Sequence, residues 1–135
     1  MKVADLMTTH PVSVDPEDSI QQALDIMDQE NIRQLPVTNE KELIGIITDR
    51  DIRSFLGGRS LSFLEEQEVA MKTKVGSVMT DKPITLSPDD DLREAVELLL
   101  EEKVGGIPVV DPEVGLIGII TYVDVLRCFL EQLKE

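Results

Sequence analysis

The sequence is poor in the residue types that build several common classes of functional site. Its 135 residues include no tryptophan, one tyrosine and three phenylalanines, so the core must be aliphatic and aromatic platforms for stacking nucleic-acid bases are not expected. A single cysteine, Cys128, excludes an intrachain disulfide and a cysteine-cluster metal site. One histidine, His10, provides no histidine cluster for zinc.

Positive charge is also scarce. The chain has 13 lysines and arginines and 27 acidic residues, which gives a net charge of −14. This charge repels a nucleic-acid backbone and disfavours binding to anionic membrane surfaces. A small anionic ligand would therefore need a local basic or helix N-terminal site. The first residues lack a signal-peptide pattern and no apolar run approaches membrane-spanning length, so we expect a cytoplasmic protein without nucleic-acid or membrane partners.

Catalytic motifs are missing as well. The chain has no recognisable nucleophile motif, no glycine-rich phosphate loop and no histidine-dependent base network. Acidic pairs such as Asp49 and Asp51 are expected by chance in so acidic a chain. We expect no enzyme activity, no catalytic residue, no metal site and no required cofactor.

What the sequence does contain is an internal repeat. Met7-Thr8-x-x-Pro11 recurs as Met79-Thr80-x-x-Pro83, a shift of 72 residues. After one inserted residue near Pro112 the shift becomes 73, and the six residues 43–48 match residues 116–121 identically. Two copies of one structural unit are therefore predicted.

Each copy has the same order of predicted elements. A turn leads into a short strand at 12–14 or 84–86, and a helix is expected to begin at Pro16 or Pro88. Apolar residues at i, i+3, i+4 and i+7 mark that helix in both copies: Ile20, Ala23, Leu24 and Met27, and then Leu92, Ala95, Val96 and Leu99. Two strands and a second helix follow, with the strands near 35–38 and 43–48 and near 107–110 and 116–121.

The predicted boundaries follow the repeat. The first domain spans residues 1–56, a linker with a short helix capped by Ser62 and Glu65 spans 57–74, and the second domain spans 75–135. Leu98 and Leu100 widen the apolar arc of the first helix of the second copy, which favours burial against another subunit. The last helix carries an apolar stripe that includes Tyr122, Leu126 and Phe129.

The β-α-β-β-α order and the signatures at 32–37 and 45–51, repeated at 104–109 and 118–124, resemble the cystathionine-β-synthase-type (CBS) domain. Tandem pairs resemble the Bateman module, and stand-alone pairs also look like the acetoin-utilisation accessory proteins. The resemblance implies an α+β fold of two βαββα domains packed sheet to sheet with pseudo-twofold symmetry, a homodimer, and two clefts for adenosine compounds. The implied ligand is AMP, ADP or ATP, with S-adenosylmethionine or NAD also possible.

The resemblance places nucleotide-binding residues in both clefts. Cleft 1 would be formed by Thr8, Pro11, Val12, Ser13, Ile32, Arg33, Gln34, Pro36, Thr48, Arg50 and Asp51. Cleft 2 would be formed by Thr80, Lys82, Pro83, Ile84, Thr85, Val104, Gly105, Gly106, Pro108, Thr121 and Asp124.

The motif Gly-x-x-Thr-x-x-Asp admits two interpretations. Thr48 lies where a strand turns into a helix, so its hydroxyl and the free backbone N–H groups can meet a phosphate, while Asp51 can accept hydrogen bonds from a ribose diol. The same spacing is that of a helix capping box. The two roles are compatible, since a cap can yield to a ligand.

The two copies differ in charge. Arg33, Arg50 and Arg53 of the first copy align with Gly105, Val123 and Leu126 of the second. Only the first copy supplies a dense basic patch, although Lys82 is a possible cation for the second cleft. We therefore expect one cleft to prefer a phosphorylated adenosine and the other to be weak, empty or selective for a less charged adenosine.

The expected function is a regulatory, ligand-sensing one, in which nucleotide binding is transmitted to a separate, unknown partner protein. The alternative is a scaffold that dimerises or holds a partner without any ligand.

Overall fold

The computed structural model describes residues 1–134, and its regular structure is α+β. The elements in chain order are α1 (Val3–Leu6), β1 (Thr8–Thr9), α2 (Ile20–Glu30), β2 (Gln34–Asn39), β3 (Glu42–Thr48), α3 (Asp49–Gly57), α4 (Phe63–Lys72), a 3₁₀ turn (Val75–Ser77), β4 (Thr80–Asp81), α5 (Leu92–Glu102), β5 (Gly106–Asp111), β6 (Gly115–Thr121) and α6 (Tyr122–Leu133).

The predicted apolar stripes of α2 and α5 are confirmed, but their predicted starting points are wrong. Ile20, Ala23 and Met27 of α2 are buried, as are Ala95 and Leu99 of α5. The helices begin after the N-caps Ser19 and Asp91 rather than at the prolines. Residues 15–18 instead form a turn, because the Asp18 side chain accepts a hydrogen bond from the Asp15 backbone at 3.0 Å and competes with helix formation.

The two predicted hairpins are confirmed. Strands β2 and β3 pair antiparallel, as do β5 and β6, and each connection has a residue with positive φ: Glu40 in the first turn at 61° and Gly115, the first residue of β6, at 101°. The strands predicted at 12–14 and 84–86 are reduced to single parallel bridges, Val14 with Val37 and Leu86 with Val109. Val12 is exposed, which leaves only Val14 of that segment in the core.

The chain divides into two compact units whose limits differ from those of the repeats. The first-repeat unit is Val12–Pro83, and the second-repeat unit combines Met1–Pro11 with Ile84–Glu135. Each has its own core, centred on Leu35, Ile47 and Ile52 in the first and on Ile107 and Ile120 in the second. The Met-Thr-x-x-Pro segment that begins each repeat is therefore part of the unit formed by the other repeat.

Backbone hydrogen bonds show how these segments are held. In the second-repeat unit the Val3 N–H donates to the Asp90 carbonyl at 2.8 Å and β1 joins the edge of β6. In the first-repeat unit the Val75 N–H donates to the Asp18 carbonyl at 2.7 Å and β4 joins the edge of β3. Each unit consequently contains a three-stranded antiparallel sheet, in the order β1-β6-β5 or β2-β3-β4.

The glycine of each Gly-x-x-Thr motif makes this edge pairing possible. A Cβ atom on Gly45 would lie 2.6 Å from the sulfur of Met79 and 2.8 Å from the Thr80 carbonyl oxygen. On Gly118 it would lie 2.6 Å from the sulfur of Met7 and 3.0 Å from the Thr8 carbonyl oxygen. The Met-Thr segment of one repeat therefore packs against the glycine of the other repeat.

The linker helix α4 begins as predicted. Ser62 is its N-cap and forms a reciprocal capping box with Glu65. The hydrogen bond from the Ser62 backbone N–H lowers the pKa of Glu65 below its ordinary value, with a smaller contribution from the Ser62 side chain. Within residues 1–134, no helix is long and apolar enough to cross a membrane.

Candidate functional site

Two strand-to-helix corners carry the Thr-x-x-Asp motifs. At the corner between β3 and α3, the Thr48 Oγ1 accepts a hydrogen bond from the Asp51 N–H at 3.0 Å, and Asp51 Oδ2 accepts one from the Thr48 N–H at 3.1 Å. The corner between β6 and α6 repeats this box with Thr121 and Asp124, at 3.2 Å and 2.9 Å. The predicted capping role is confirmed at both corners.

The second-repeat corner makes two further hydrogen bonds. The Thr8 hydroxyl on β1 donates to Asp124 Oδ1 at 3.1 Å. The Thr121 hydroxyl donates to Asp124 Oδ2 at 3.1 Å. Both carboxylate oxygens and both threonine hydroxyl hydrogens are therefore already used inside the unit.

The first-repeat corner keeps more of its hydrogen-bonding capacity. Across the described residues, Thr80, the counterpart of Thr8, makes no hydrogen bond to Asp51, whose Oδ1 atom accepts none. The hydroxyl hydrogen of Thr48 is likewise not donated to any group within residues 1–134. An incoming ligand could thus be bound here by one donor and one acceptor without breaking the cap.

The segment that begins each repeat, 7–11 or 79–83, lies in the unit of the other repeat, and this changes which predicted residues lie together. Thr8 and Pro11, expected with Thr48 and Asp51, belong to the second-repeat unit, where Thr8 contacts Asp124. Thr80, Lys82 and Pro83, expected with Thr121 and Asp124, belong to the first-repeat unit. The structure therefore places these five residues in the unit of the other repeat, because β1 and β4 each pair with the other repeat's sheet. Lys82 and its counterpart His10 both occupy left-handed backbone conformations at those strand ends.

The remaining predicted residues differ in how far they are buried. Pro36, Gly106 and Pro108 are buried in β2 and β5, while Gln34 and Gly105 are half-buried. Ser13 lies against β2, where it accepts a hydrogen bond from the Thr38 hydroxyl at 3.2 Å, and Thr85 is exposed.

Exposed apolar side chains occur at matched positions in the two units. Val12 and Ile32 of the first-repeat unit are 40% and 37% exposed, and their counterparts Ile84 and Val104 are 41% and 39% exposed. Branched apolar side chains at such positions can cover the face of a flat heterocyclic base.

The arginine patch contains a residue that the sequence interpretation missed. Asp49 Oδ2 lies 3.4 Å from an Nη atom of Arg33 and 3.4 Å from an Nη atom of Arg53. Arg50 is exposed and forms no ion pair with any described residue. The four-residue spacing of Asp49 and Arg53 on a helix could have indicated their pairing, but Arg33 lies on a different element.

The corresponding positions of the second-repeat unit carry no charge. Gly105, Tyr122, Val123 and Leu126 stand where the first repeat has Arg33, Asp49, Arg50 and Arg53. The backbone is nevertheless the same, since Asp49 N–H donates to the Arg33 carbonyl at 3.0 Å and Tyr122 N–H donates to the Gly105 carbonyl at 3.3 Å. The difference between the corners therefore lies in their side chains.

A shallow depression of about 560 Å³ lies elsewhere in the first-repeat unit, between the start of α2 and the end of α4. Its lining includes Glu17, Ser19, Lys72 and Lys74, and it includes none of the predicted nucleotide-binding residues. The Lys74 ammonium donates to Glu17 at 2.8 Å, and this hydrogen bond raises the pKa of Lys74. Among the described residues, no group of three or more His, Cys, Asp or Glu side chains could hold a metal ion.

Comparison with known proteins matches this architecture. The family model of the CBS domain matches residues 3–58 and again residues 75–131. A CBS domain-containing protein of Dictyostelium discoideum is 33% identical over 138 residues, covering 98% of this chain and 93% of the relative. The protein MJ1225 of Methanocaldococcus jannaschii is 39% identical over 132 residues, covering 92% of this chain; the matched part spans only 47% of that relative.

Solved structures agree over nearly the whole chain. CBSX2 of Arabidopsis thaliana in complex with AMP has a TM-score of 0.82 at 32% identity and covers 98% of both chains. The CBS domain pair of protein MJ0100, in complex with 5′-methylthioadenosine and S-adenosyl-L-methionine, has a TM-score of 0.80 at 28% identity and covers 98% of both chains. A protein of Vibrio cholerae assigned to acetoin utilization (AcuB) has a TM-score of 0.83 at 28% identity, covering 98% of this chain and 93% of its own.

Proposed function

Because the chain belongs to the CBS-domain family and contains two CBS domains in tandem, we propose that it is a regulatory module that binds an adenosine-containing nucleotide. The observation that carries the proposal is the first-repeat corner, where Thr48 and Asp51 keep a free donor and a free acceptor beside Arg33, Arg50 and Arg53. Two of the similar solved structures hold AMP or sulfur-containing adenosine compounds.

Each part of an adenosine nucleotide has a matching group in the first-repeat unit. The N-terminus of α3 and the neighbouring arginines favour a phosphate, because free backbone N–H groups and guanidinium donors both stabilise negative charge. Asp51 Oδ1 can accept a hydrogen bond from a ribose hydroxyl, and Val12 and Ile32 offer exposed apolar surface for the base. AMP, ADP or ATP is therefore the proposed ligand class.

The second-repeat corner is proposed to be the weaker site. Asp124 is already bonded to Thr8 and Thr121, and Gly105, Tyr122 and Leu126 supply no cation for a phosphate. A ligand with less negative charge, such as adenosine or S-adenosylmethionine, suits this corner better than ATP.

Regulation would operate through a population shift. A nucleotide can favour one arrangement of the two CBS domains only to the extent that it binds that arrangement more tightly. A separate partner protein would then recognise the favoured arrangement. We propose a binding role and no catalytic one for this chain, acting in the cytoplasm.

Thermal unfolding in the presence of single ligands tests the proposal. A ligand that binds only the native state raises Tm once its concentration exceeds Kd, by an amount that corresponds to about 2.7 kcal/mol at a hundred times Kd. We expect AMP, ADP or ATP to raise Tm, with S-adenosylmethionine and NAD as comparison ligands. Mass spectrometry of the protein as purified would identify any nucleotide carried through purification. A flat response to all five ligands would overturn the proposal.

The second candidate function is a ligand-free scaffold, and the surface of α6 favours it. Tyr122, Leu126, Phe129, Leu130 and Leu133 are each more than half exposed, and α6 contains no fully buried residue. So large an apolar face is unusual on a monomer and typical of an interface. We propose that a second copy of the chain covers it, forming a homodimer.

Sedimentation equilibrium distinguishes a dimer from a monomer and locates the interface. We expect the wild-type chain to sediment as a dimer, and Leu130→Glu to shift it towards monomer by weakening association at least tenfold, about 1.4 kcal/mol. Leu64→Glu, which alters a similarly exposed leucine on α4, is the matched control and should remain dimeric. Equal sedimentation of wild type and Leu130→Glu would exclude the α6 face as the interface.

A further inference from the structure

We propose that Asp49 is a built-in counter-ion, which occupies Arg33 and Arg53 in the free protein and competes with the phosphate of an incoming ligand for them. This inference rests on the proposed nucleotide-binding function and adds a residue that sets which ligand charge the site prefers. Its basis is the contact of one carboxylate oxygen, Asp49 Oδ2, with both guanidinium groups at 3.4 Å.

The geometry indicates ion pairs that can be exchanged at low cost. The Arg33 and Arg53 side chains are 82% and 70% exposed, whereas that of Asp49 is only 24% exposed. Long contacts between a carboxylate and solvated guanidinium groups are weak, because water screens their attraction. A phosphate with two negative charges and several acceptor oxygens can therefore replace the single carboxylate.

Asp49 is also held close to the arginines by the backbone. Its N–H donates to the Arg33 carbonyl at 3.0 Å, and it is the first residue of α3. The carboxylate therefore stays near the proposed phosphate position after the arginines have turned towards a ligand. A ligand phosphate must consequently overcome both the competition for the guanidinium groups and repulsion by the carboxylate, whereas an uncharged nucleoside meets neither.

The second-repeat unit supports this interpretation by lacking the whole arrangement. The equivalent backbone hydrogen bond joins Tyr122 and Gly105 at 3.3 Å without any charged side chain at the aligned positions. The acidic residue is thus not needed to form the corner, whose Thr-x-x-Asp cap is complete in both units. Asp49 occurs only where there are arginines for it to neutralise.

Calorimetric titration of Asp49→Asn with adenosine, AMP, ATP and tripolyphosphate tests the inference. We expect roughly threefold to tenfold tighter binding of AMP, ATP and tripolyphosphate, with unchanged adenosine binding and a gain that shrinks as salt is raised. Asp28→Asn, at an exposed position of α2, changes the net charge equally and should leave all four affinities unchanged. Asp49→Ser, which also suits the start of a helix, serves as a second variant.

The outcomes separate this inference from the proposed function. Nucleotide binding that is unchanged or weaker in both Asp49 variants would overturn the counter-ion role and leave the nucleotide site standing. Tighter binding of tripolyphosphate without binding of any nucleotide would support the counter-ion and sink the nucleotide proposal. If none of the four compounds binds either protein, both proposals fail.

Discussion

The two strand-to-helix corners have the same backbone conformation but differ in their side-chain hydrogen bonds and charges. At the first-repeat corner, Asp51 and Thr48 form only a helix cap, and the surrounding charges are those of Asp49 and three arginines. At the second-repeat corner, both Asp124 oxygens already accept hydrogen bonds from Thr8 or Thr121, and the residues aligned with the arginines are uncharged. A duplicated fold can therefore keep its capping chemistry in both copies while only one retains groups available for an anionic ligand.

The largest expected effect comes from filling the space beside the sheet edge. Gly45→Ala places a Cβ 2.8 Å from the Thr80 carbonyl oxygen, a backbone atom that can move only if β4 moves. We expect a loss of about 2 kcal/mol in the free energy of unfolding, measured by urea denaturation. Gly118→Ala should cost less, since its nearest backbone oxygen is 3.0 Å away, while the methionine sulfur lies at 2.6 Å in both cases.

Gly57→Ala is the control for these two variants. Nothing lies within 4 Å of its Cβ position at the end of α3, so the substitution should stabilise the protein by up to about 1 kcal/mol through helix propensity. Equal losses in all three glycine variants would contradict the role assigned to the Met-Thr contacts.

The next effect is on ligand selectivity. Arg33→Ala removes a guanidinium donor that has no counterpart in the second-repeat unit. We therefore expect AMP and ATP to bind about tenfold more weakly, corresponding to about 1.4 kcal/mol. Adenosine binding should change little. Isothermal titration measures both, and Arg93→Ala, an exposed arginine on α5 that pairs with Glu97, is the charge-matched control. A comparable loss in Arg93→Ala would attribute the effect to net charge alone.

The smallest effect distinguishes the two threonines on the edge strands. Thr8→Val removes the hydrogen bond to Asp124, which should cost about 0.5 kcal/mol because the bond is exposed to water. Thr80→Val removes no hydrogen bond to Asp51, so its unfolding free energy should be nearly unchanged. Thermal unfolding of the two variants side by side gives the difference. A larger loss in Thr80→Val would contradict the finding that only Thr8 is hydrogen-bonded to the aspartate of its corner.

Local chemistry explains how much of the fold could be predicted from the sequence. The period of the apolar residues identified α2, α5 and α6, the capping boxes identified the starts of α3 and α4, and the unbroken apolar strands identified both hairpins. The helix was predicted to begin at Pro16, but the hydrogen bond from the Asp15 N–H to the Asp18 carboxylate stabilises a turn there instead of the first turn of a helix. That competition depends on side-chain geometry that the sequence pattern does not encode.

The sequence could not predict that Met7-Thr8 and Met79-Thr80 each lie at the sheet edge of the other repeat, because the two repeats are so alike. Gly45 and Gly118 offer the same space, and Met7-Thr8 and Met79-Thr80 have the same sequence, so either segment suits either sheet edge. The sequence interpretation therefore grouped each edge strand with the sheet of its own repeat, whereas the structure pairs it with the sheet of the other. The pairing of Arg33 with Asp49 was missed for a related reason, because it joins two elements 16 residues apart in sequence.

The most direct test of the difference between the corners is the stoichiometry of ATP binding, measured by isothermal titration of the wild-type chain and of Arg33→Ala. We predict one tight site per wild-type chain, which weakens about tenfold in Arg33→Ala. Two sites of equal affinity, both indifferent to Arg33→Ala, would contradict the account.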